Sequence, residues 1–88
     1  DALSVSYNGQ TVELPQREFF LLFKLVASPN RIFTRIQIMD EVWGVGSGAD
    51  SHTLDVHISR LRDRFKDNPD FEIVTVRGLG YKVVKRDE

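Results

Sequence analysis

Residues 51–66 constrain the fold most, because the two faces of this segment have opposite chemistry. With about 100° between successive residues of a helix, four apolar residues fall on one side within about 60° of each other. They are Leu54, Ile58, Leu61 and Phe65. The opposite side is polar around one β-branched residue, Val56, where a merely soluble helix would carry Glu, Lys or Ala. The segment predicts a helix with one buried stripe and one contact face.

The predicted contact face has side chains that can read base pairs. It consists of His52, Val56, Ser59, Arg60 and Asp63, with Thr53 at its edge. Arg donates to guanine O6 and N7, Ser and Thr bond to several bases, and an apolar group contacts the thymine methyl. The alternative is an ordinary solvated face, since charge runs and single exposed apolar residues are common.

Charge is distributed unevenly along the chain. The net charge is −1, but residues 56–88 hold eight basic and six acidic side chains, whereas residues 1–55 hold four and seven. Four of the basic residues lie within the predicted helix: Arg60, Arg62, Arg64 and Lys66. A local basic patch favours an anionic partner. The overall pI near 6.1 argues against strong non-specific binding of polyanions.

Two hairpins and two further helices are predicted around this segment. Residues 3–14 alternate apolar and polar around Asn8-Gly9, which is typical of a hairpin with a type I′ turn. Residues 16–27 have helical spacing, and we expect the core to receive Phe19, Leu22, Phe23 and Val26, with Phe20 and Leu25 widening the stripe. Residues 32–33 predict a short extended segment. Thr34 and Gln37 then form a capping box for a helix over 35–43 that buries Ile36, Met39 and Trp43.

The C-terminal part predicts a second hairpin. Residues 71–76 and 81–84 are strand-like, and Arg77 lies at the tip of the turn between them, with Gly78 and Gly80 serving the turn geometry. The order hairpin, helix, short strand, helix, loop, helix, hairpin describes an α+β winged helix-turn-helix in one domain over residues 1–88. Because Asp1 lies inside strand-like sequence, we expect the N-terminal hairpin to be part of a truncated sheet.

Enzymatic functions fit this sequence poorly. His52 and His57 are five residues apart, not four as in a helical zinc pair, and the chain lacks cysteine. The glycines of the loop at 44–49 do not form a G-x-G-x-x-G pattern, and Ser47 is not in G-x-S-x-G. No apolar run approaches the roughly 18 residues of a membrane helix. We expect no enzymatic activity, cofactor, metal or membrane association.

Two motifs resemble one known family. Residues 53–62 are similar to the recognition helix of OmpR/PhoB-type response regulators, and residues 74–81 are similar to their wing. Further matches are Glu18-Phe19 with Leu21-Leu22, Phe33-Thr34-Arg35 and Glu41-Val42-Trp43-Gly44. The resemblance spans residues 3–84. It implies the cytoplasmic DNA-binding effector domain of a two-component transcription regulator, without its phosphorylatable receiver domain.

The resemblance also implies roles for single residues and segments. Helix 52–66 would enter the major groove with Thr53, Val56 and Arg60 on bases, and the wing at 74–82 would place Arg77 in the minor groove. The positions near phosphates are matched by Trp43, His57, Arg62, Thr75 and Tyr81. The loop at 44–51 matches the segment that meets RNA polymerase, and two domains would bind tandem direct repeats as a head-to-tail dimer.

The sequence departs from the family pattern at three positions and leaves structural alternatives at others. His52 and Ser59 stand where basic residues are common, and Pro15 replaces a Thr-like cap. Core packing is the alternative role for Trp43 and Tyr81, strand formation for Thr75, and a structural hydrogen bond for His57. Arg60 and Arg77 carry the functional hypothesis, since neither position has an evident structural need for arginine. The alternative function is a winged helix that binds protein through its acidic face and the 44–51 loop.

Overall fold

A computed structural model describes residues 2–7 and 9–86 of the chain. Its elements are β1 (Ala2–Tyr7), β2 (Gln10–Pro15), α1 (Gln16–Val26), β3 (Phe33–Thr34), α2 (Arg35–Val42), α3 (Ser51–Arg64), β4 (Phe71–Val76) and β5 (Gly80–Lys85). The predicted order of elements is confirmed, and the helix ends lie within two residues of the predicted ones. Helix α3 begins at Ser51, as predicted.

The N-terminal hairpin has the predicted two-residue connection. Strands β1 and β2 pair antiparallel with Tyr7 opposite Gln10, and Gly9 has a φ of 74°. A positive φ at this position is what a type I′ turn requires. Asn8, the other turn residue, lies outside the described residues, so the turn type stays a prediction.

The second sheet joins the start of α2 to the C-terminal hairpin. Its strand order is β3-β5-β4, with Phe33 opposite Tyr81 and Thr34 opposite Gly80. We call β4, β5 and their turn at 77–79 the wing. The sequence predicts the short β3 one residue early and does not predict its partner. This pairing holds the wing beside the helices.

The core lies where the three helices meet the sheets. The four residues of the predicted α3 stripe are all buried, which confirms that prediction. The other buried apolar residues are Leu14, Leu21, Leu22, Leu25, Phe33, Ile38, Ile73, Tyr81 and Val83. Three helices, a short strand and a C-terminal hairpin packed in this way form the predicted winged helix-turn-helix.

The predicted core faces of α1 and α2 are partly wrong. Phe23 is 64% exposed and Phe20 43%, while Leu21 and Leu25 are fully buried; Phe19 and Val26 are half-buried, and Leu22 is buried as expected. The apolar residues of α1 occupy more than half of its circumference, so spacing alone does not choose the buried side.

The same difficulty affects α2, because its apolar residues do not lie on one side. Ile38 is fully buried, whereas Ile36 is 74% exposed, and Met39 and Trp43 are half-buried. The helix start is as predicted, since Thr34 Oγ1 accepts a hydrogen bond from the Gln37 N–H at 3.1 Å. In the described ranges no helix is both long and apolar enough to cross a bilayer.

Candidate nucleic-acid interface

Asp50 fixes the start of α3 and the Thr53 side chain with it. Its Oδ1 accepts from the Thr53 N–H at 3.1 Å and from the Thr53 hydroxyl at 3.2 Å. The backbone bond lowers the pKa of Asp50, because it stabilises the carboxylate form. This cap was not among the predicted features, although Asp just before a helical pattern is a common N-cap. The cap holds Thr53 at the edge of the contact face.

The side of α3 opposite its buried stripe is open. His52, Ser59, Arg60 and Asp63 are exposed, and Thr53 and Val56 are half-buried. The Arg60 side chain keeps 59% of its surface exposed. The structure therefore brings the three predicted base-contacting residues, Thr53, Val56 and Arg60, to one accessible surface of one helix.

The tip of the wing presents Arg77. This residue is exposed, and among residues 2–7 and 9–86 it has no hydrogen bond or ion pair. The turn is closed by a bond from the Leu79 N–H to the Val76 carbonyl at 2.9 Å, with Gly78 at a φ of 76°. The guanidinium is thus carried on a closed turn and is not bound to the rest of the domain.

Gly78 and Gly80 have different roles, which corrects the expectation that both serve the turn. Only Gly78 has a positive φ. A Cβ on Gly80 would overlap the Phe33 carbonyl oxygen and lie 3.0 Å from the Thr34 Cα. Gly80 is required because β3 approaches β5 closely at this point.

One carboxylate connects α3 to α2 and the wing. Asp55 Oδ1 accepts from the Tyr81 hydroxyl at 2.7 Å and lies 2.7 Å from Arg35 Nη2. Arg35 also donates to Tyr81 Oη at 3.4 Å and to the Ser51 carbonyl at 3.1 Å. The Tyr81 hydroxyl and Arg35 lower the pKa of Asp55, and burial together with the Asp55 bond raises the pKa of Tyr81.

Arg62 makes a second connection between α3 and the wing. Its Nε and Nη2 donate to the Ile73 carbonyl at 3.1 and 3.0 Å, and Nη2 donates to Thr75 Oγ1 at 2.7 Å. Its guanidinium lies 5.7 Å from the centre of the Tyr81 ring. Three residues expected near phosphates are therefore together, bonded or packed against each other. Their phosphate contacts stay a prediction, and Tyr81 is only 5% exposed.

Trp43 and His57 form the other predicted phosphate pair. Their rings meet edge-to-face with centres 5.0 Å apart, and both side chains are half-buried. His57 Nδ1 lies 2.8 Å from the Thr53 carbonyl oxygen. Because a carbonyl only accepts, Nδ1 carries the proton, and Nε2 is left for another partner. His57 therefore makes the structural hydrogen bond that is its alternative role. This bond does not exclude a phosphate contact through Nε2.

The chain matches the family described as "Transcriptional regulatory protein, C terminal" over residues 9–83. The chain belongs to this family. The recognised resemblance to OmpR/PhoB-type response regulators is thereby confirmed.

The chain is similar to a curated relative, the Heme response regulator HssR of Staphylococcus aureus. The two are 50% identical over 82 residues, which are 92% of this chain and 37% of that protein. The chain thus spans little more than a third of the length of the curated relatives it matches.

Two solved structures that are similar to this chain contain DNA. The DNA-binding domain of Klebsiella pneumoniae RstA, in complex with the RstA box, has a TM-score of 0.77 and 33% identity, covering 92% of this chain and 82% of that chain. The AdeR DNA-binding domain, in complex with an intercistronic region, has a TM-score of 0.80 and 28% identity, covering 92% and 84%.

Proposed function

We propose that this response-regulator effector domain binds double-stranded DNA sequence-specifically, with α3 in the major groove and the wing at the minor groove. One observation carries the proposal: the side of α3 opposite its buried stripe is open and carries the base-reading types of side chain. The major groove of B-DNA admits a helix and presents a distinct pattern for each base pair. The DNA complexes of RstA and AdeR support the same partner.

Base recognition is assigned to Thr53, Val56 and Arg60. Arg60 is an exposed cation on this face, suited to guanine O6 and N7. Val56 offers a methyl surface to thymine, and Thr53, fixed by Asp50, borders the same surface. Phosphate contacts are assigned around this face and position the helix on the duplex.

The phosphate contacts divide into two groups. Trp43 at the end of α2 meets His57 of α3, and His57 Nε2 is free of the bond that Nδ1 makes. On the other side, Arg62 and Thr75 are exposed although bonded to each other. Tyr81 is assigned to this group because its ring packs beside the Arg62 guanidinium. Since the ring is buried, we assign Tyr81 the role of supporting Arg62 from below.

The wing is assigned to the minor groove through Arg77. Narrow A·T-rich minor grooves have an enhanced negative potential that attracts inserted arginine. The absence of another partner for Arg77 in the described part of the chain supports this assignment.

The wider partners follow from the family resemblance. Two domains would bind tandem direct repeats head to tail in the cytoplasm, and the loop at 44–51 would meet RNA polymerase. Val45 in this loop is 84% exposed, which supports an external contact there.

Selection of bound duplexes from a random pool tests the proposal, with the wild-type chain, Val56→Ala and Arg60→Ala. We expect Arg60→Ala to cost about 1–3 kcal/mol on the selected duplex and to relax preference at one base pair. Val56→Ala should relax preference at a thymine. Lys66→Ala, which removes an exposed charge beyond the end of α3, is the matched control and should weaken binding equally on all sequences. Equal losses for Arg60→Ala on selected and random duplexes would contradict base reading by this residue.

A further inference from the structure

Glu18 places a buried carboxylate beside the edge of the contact face that carries Arg60. It lies in the first turn of α1 and is 1% exposed. Removal of a carboxylate from water is costly unless cations compensate it. Both cations come from α3: Arg64 Nε lies 3.1 Å from Oε1, and Arg60 Nη1 lies 3.9 Å from Oε2.

The two arginines are held differently. Arg64 is also bonded to β2, through the Glu13 carbonyl at 3.4 Å, and its side chain is 39% exposed. The Arg60 side chain is 59% exposed, and in the described part of the chain Glu18 is the only ion-pair or hydrogen-bond partner of that side chain. Arg64 therefore acts as the fixed counterion of Glu18, whereas the outer part of Arg60 remains available.

Glu18 differs from a surface carboxylate because its side chain is buried and held in place by the surrounding protein. Its helix is anchored in the core by the buried side chains of Leu21, Leu22 and Leu25. A fixed charge at one end of the Arg60 guanidinium restricts the orientations of that side chain before DNA arrives. Base reading by arginine needs two aligned N–H groups, whereas attraction to phosphates tolerates many orientations.

We propose that Glu18 is a positioning residue that sets the sequence discrimination of Arg60. This inference rests on the proposed function, in which Arg60 contacts a base. Orientation of a flexible side chain in advance lowers the entropic cost of binding, and this gain applies only to the duplex that Arg60 reads. Because Glu18 faces Nη1, the other N–H groups of Arg60 stay available to a base while the side chain remains oriented.

The test measures dissociation constants for the best duplex selected with the wild-type chain and for a random duplex of equal length. Glu18→Gln should weaken binding to the selected duplex about 2- to 10-fold, the range expected for one side chain that loses its preorganisation. Binding to the random duplex should stay constant or strengthen, because a negative charge near DNA is removed. The discrimination ratio therefore falls.

Two variants separate positioning from charge and from folding. Glu13→Gln removes an exposed carboxylate from neighbouring β2 and should leave the discrimination ratio unchanged. Glu18→Asp keeps the charge but withdraws it from Arg60, so it should lower the ratio in the same direction. Glu18→Asp decides the question if circular dichroism shows that Glu18→Gln is unfolded.

The double variant with Arg60→Ala decides whether Glu18 acts through Arg60. In that background, replacement of Glu18 should leave the ratio unchanged. The inference is overturned if Glu18→Gln and Glu18→Asp keep the wild-type ratio, or if the ratio falls equally with and without Arg60. If Arg60→Ala alone keeps the wild-type discrimination ratio, Arg60 does not read a base and the proposed function loses this contact. That outcome differs from one in which Arg60→Ala lowers the ratio but the Glu18 variants do not, which contradicts only the role of Glu18.

Discussion

At the level of single residues, Asp55 connects the contact helix to the rest of the domain. Its carboxylate receives the Tyr81 hydroxyl and the Arg35 guanidinium, each at 2.7 Å. These donors come from β5 and from the first turn of α2. Charge-assisted bonds of this kind are stronger than neutral ones, so this small cluster joins α3 firmly to α2 and the wing.

Tyr81→Phe should lower the free energy of unfolding by about 1–2 kcal/mol. The substitution removes one hydrogen bond to a charged acceptor but preserves the packed ring. Urea unfolding at pH 7, followed by circular dichroism, measures the change. An unchanged midpoint and slope would show that the Tyr81–Asp55 bond contributes nothing to stability.

Acid should weaken the domain through Asp55. Its pKa is lowered in the folded state from an ordinary value of 3.8, so its contribution is present above that pH and is lost as pH falls through the lower, folded value. Asp55→Asn should therefore be less stable than wild type at pH 7, and the difference should shrink below pH 3.8. Asp50, whose pKa is also lowered, is common to both proteins and cancels in the comparison. A difference independent of pH would contradict this role.

At the level of elements, the wing is held by the close approach of β3 to β5 at Gly80. Gly80→Ala should cost about 2–4 kcal/mol, because the new Cβ on β5 meets backbone atoms of Phe33 and Thr34 in β3. Gly78→Ala is the matched control. The space around Gly78 is open, so this substitution should cost about 1–2 kcal/mol, the strain of a left-handed backbone at a residue with a Cβ. Thermal unfolding of the two variants checks the order, and equal losses would show that β3 yields to the added methyl group.

Elements with local causes were predictable from the sequence. The Thr34 cap, the Gly9 turn and the α3 stripe depend on residues close together in the chain, and periodicity or turn chemistry determines each of them. Burial in α1 and α2 was not predictable in the same way. Phe23 and Ile36 fit a helical pattern as well as Leu21 and Ile38 do, and only the positions of neighbouring elements decide which pair is buried.

The same distinction between local and tertiary causes applies to the candidate site. The contact face of α3 was predictable because a helix wheel places Thr53, Val56 and Arg60 without any tertiary information. The bonds that orient the face were not predictable, since Arg35 and Tyr81 are 46 residues apart and Tyr81 and Asp55 are 26 apart. A charged residue beside a buried stripe indicates a tertiary partner but does not identify it.

At the level of the whole molecule, a net charge of −1 conceals two segments of opposite sign, since acidic residues prevail in residues 1–55 and basic residues in residues 56–88. The basic residues are concentrated in α3 and the wing, while acidic residues outnumber basic ones in residues 1–55. Such a distribution draws DNA to one side of the domain and limits adhesion elsewhere. The same distribution also fits the alternative in which the acidic side and the 44–51 loop bind protein.

Salt dependence distinguishes these two functions and tests the wing. DNA binding should fall steeply and linearly on a log–log plot of affinity against salt concentration, because each neutralised phosphate releases counterions. Arg77→Ala should reduce the magnitude of this slope by about one and weaken binding most at sites flanked by A·T-rich sequence. Fluorescence anisotropy on two duplexes, alike except for A·T or G·C flanks, measures both effects. A shallow slope for wild type would favour the protein-binding alternative, whereas a steep slope that Arg77→Ala leaves unchanged on both duplexes would remove only the wing from the DNA contact.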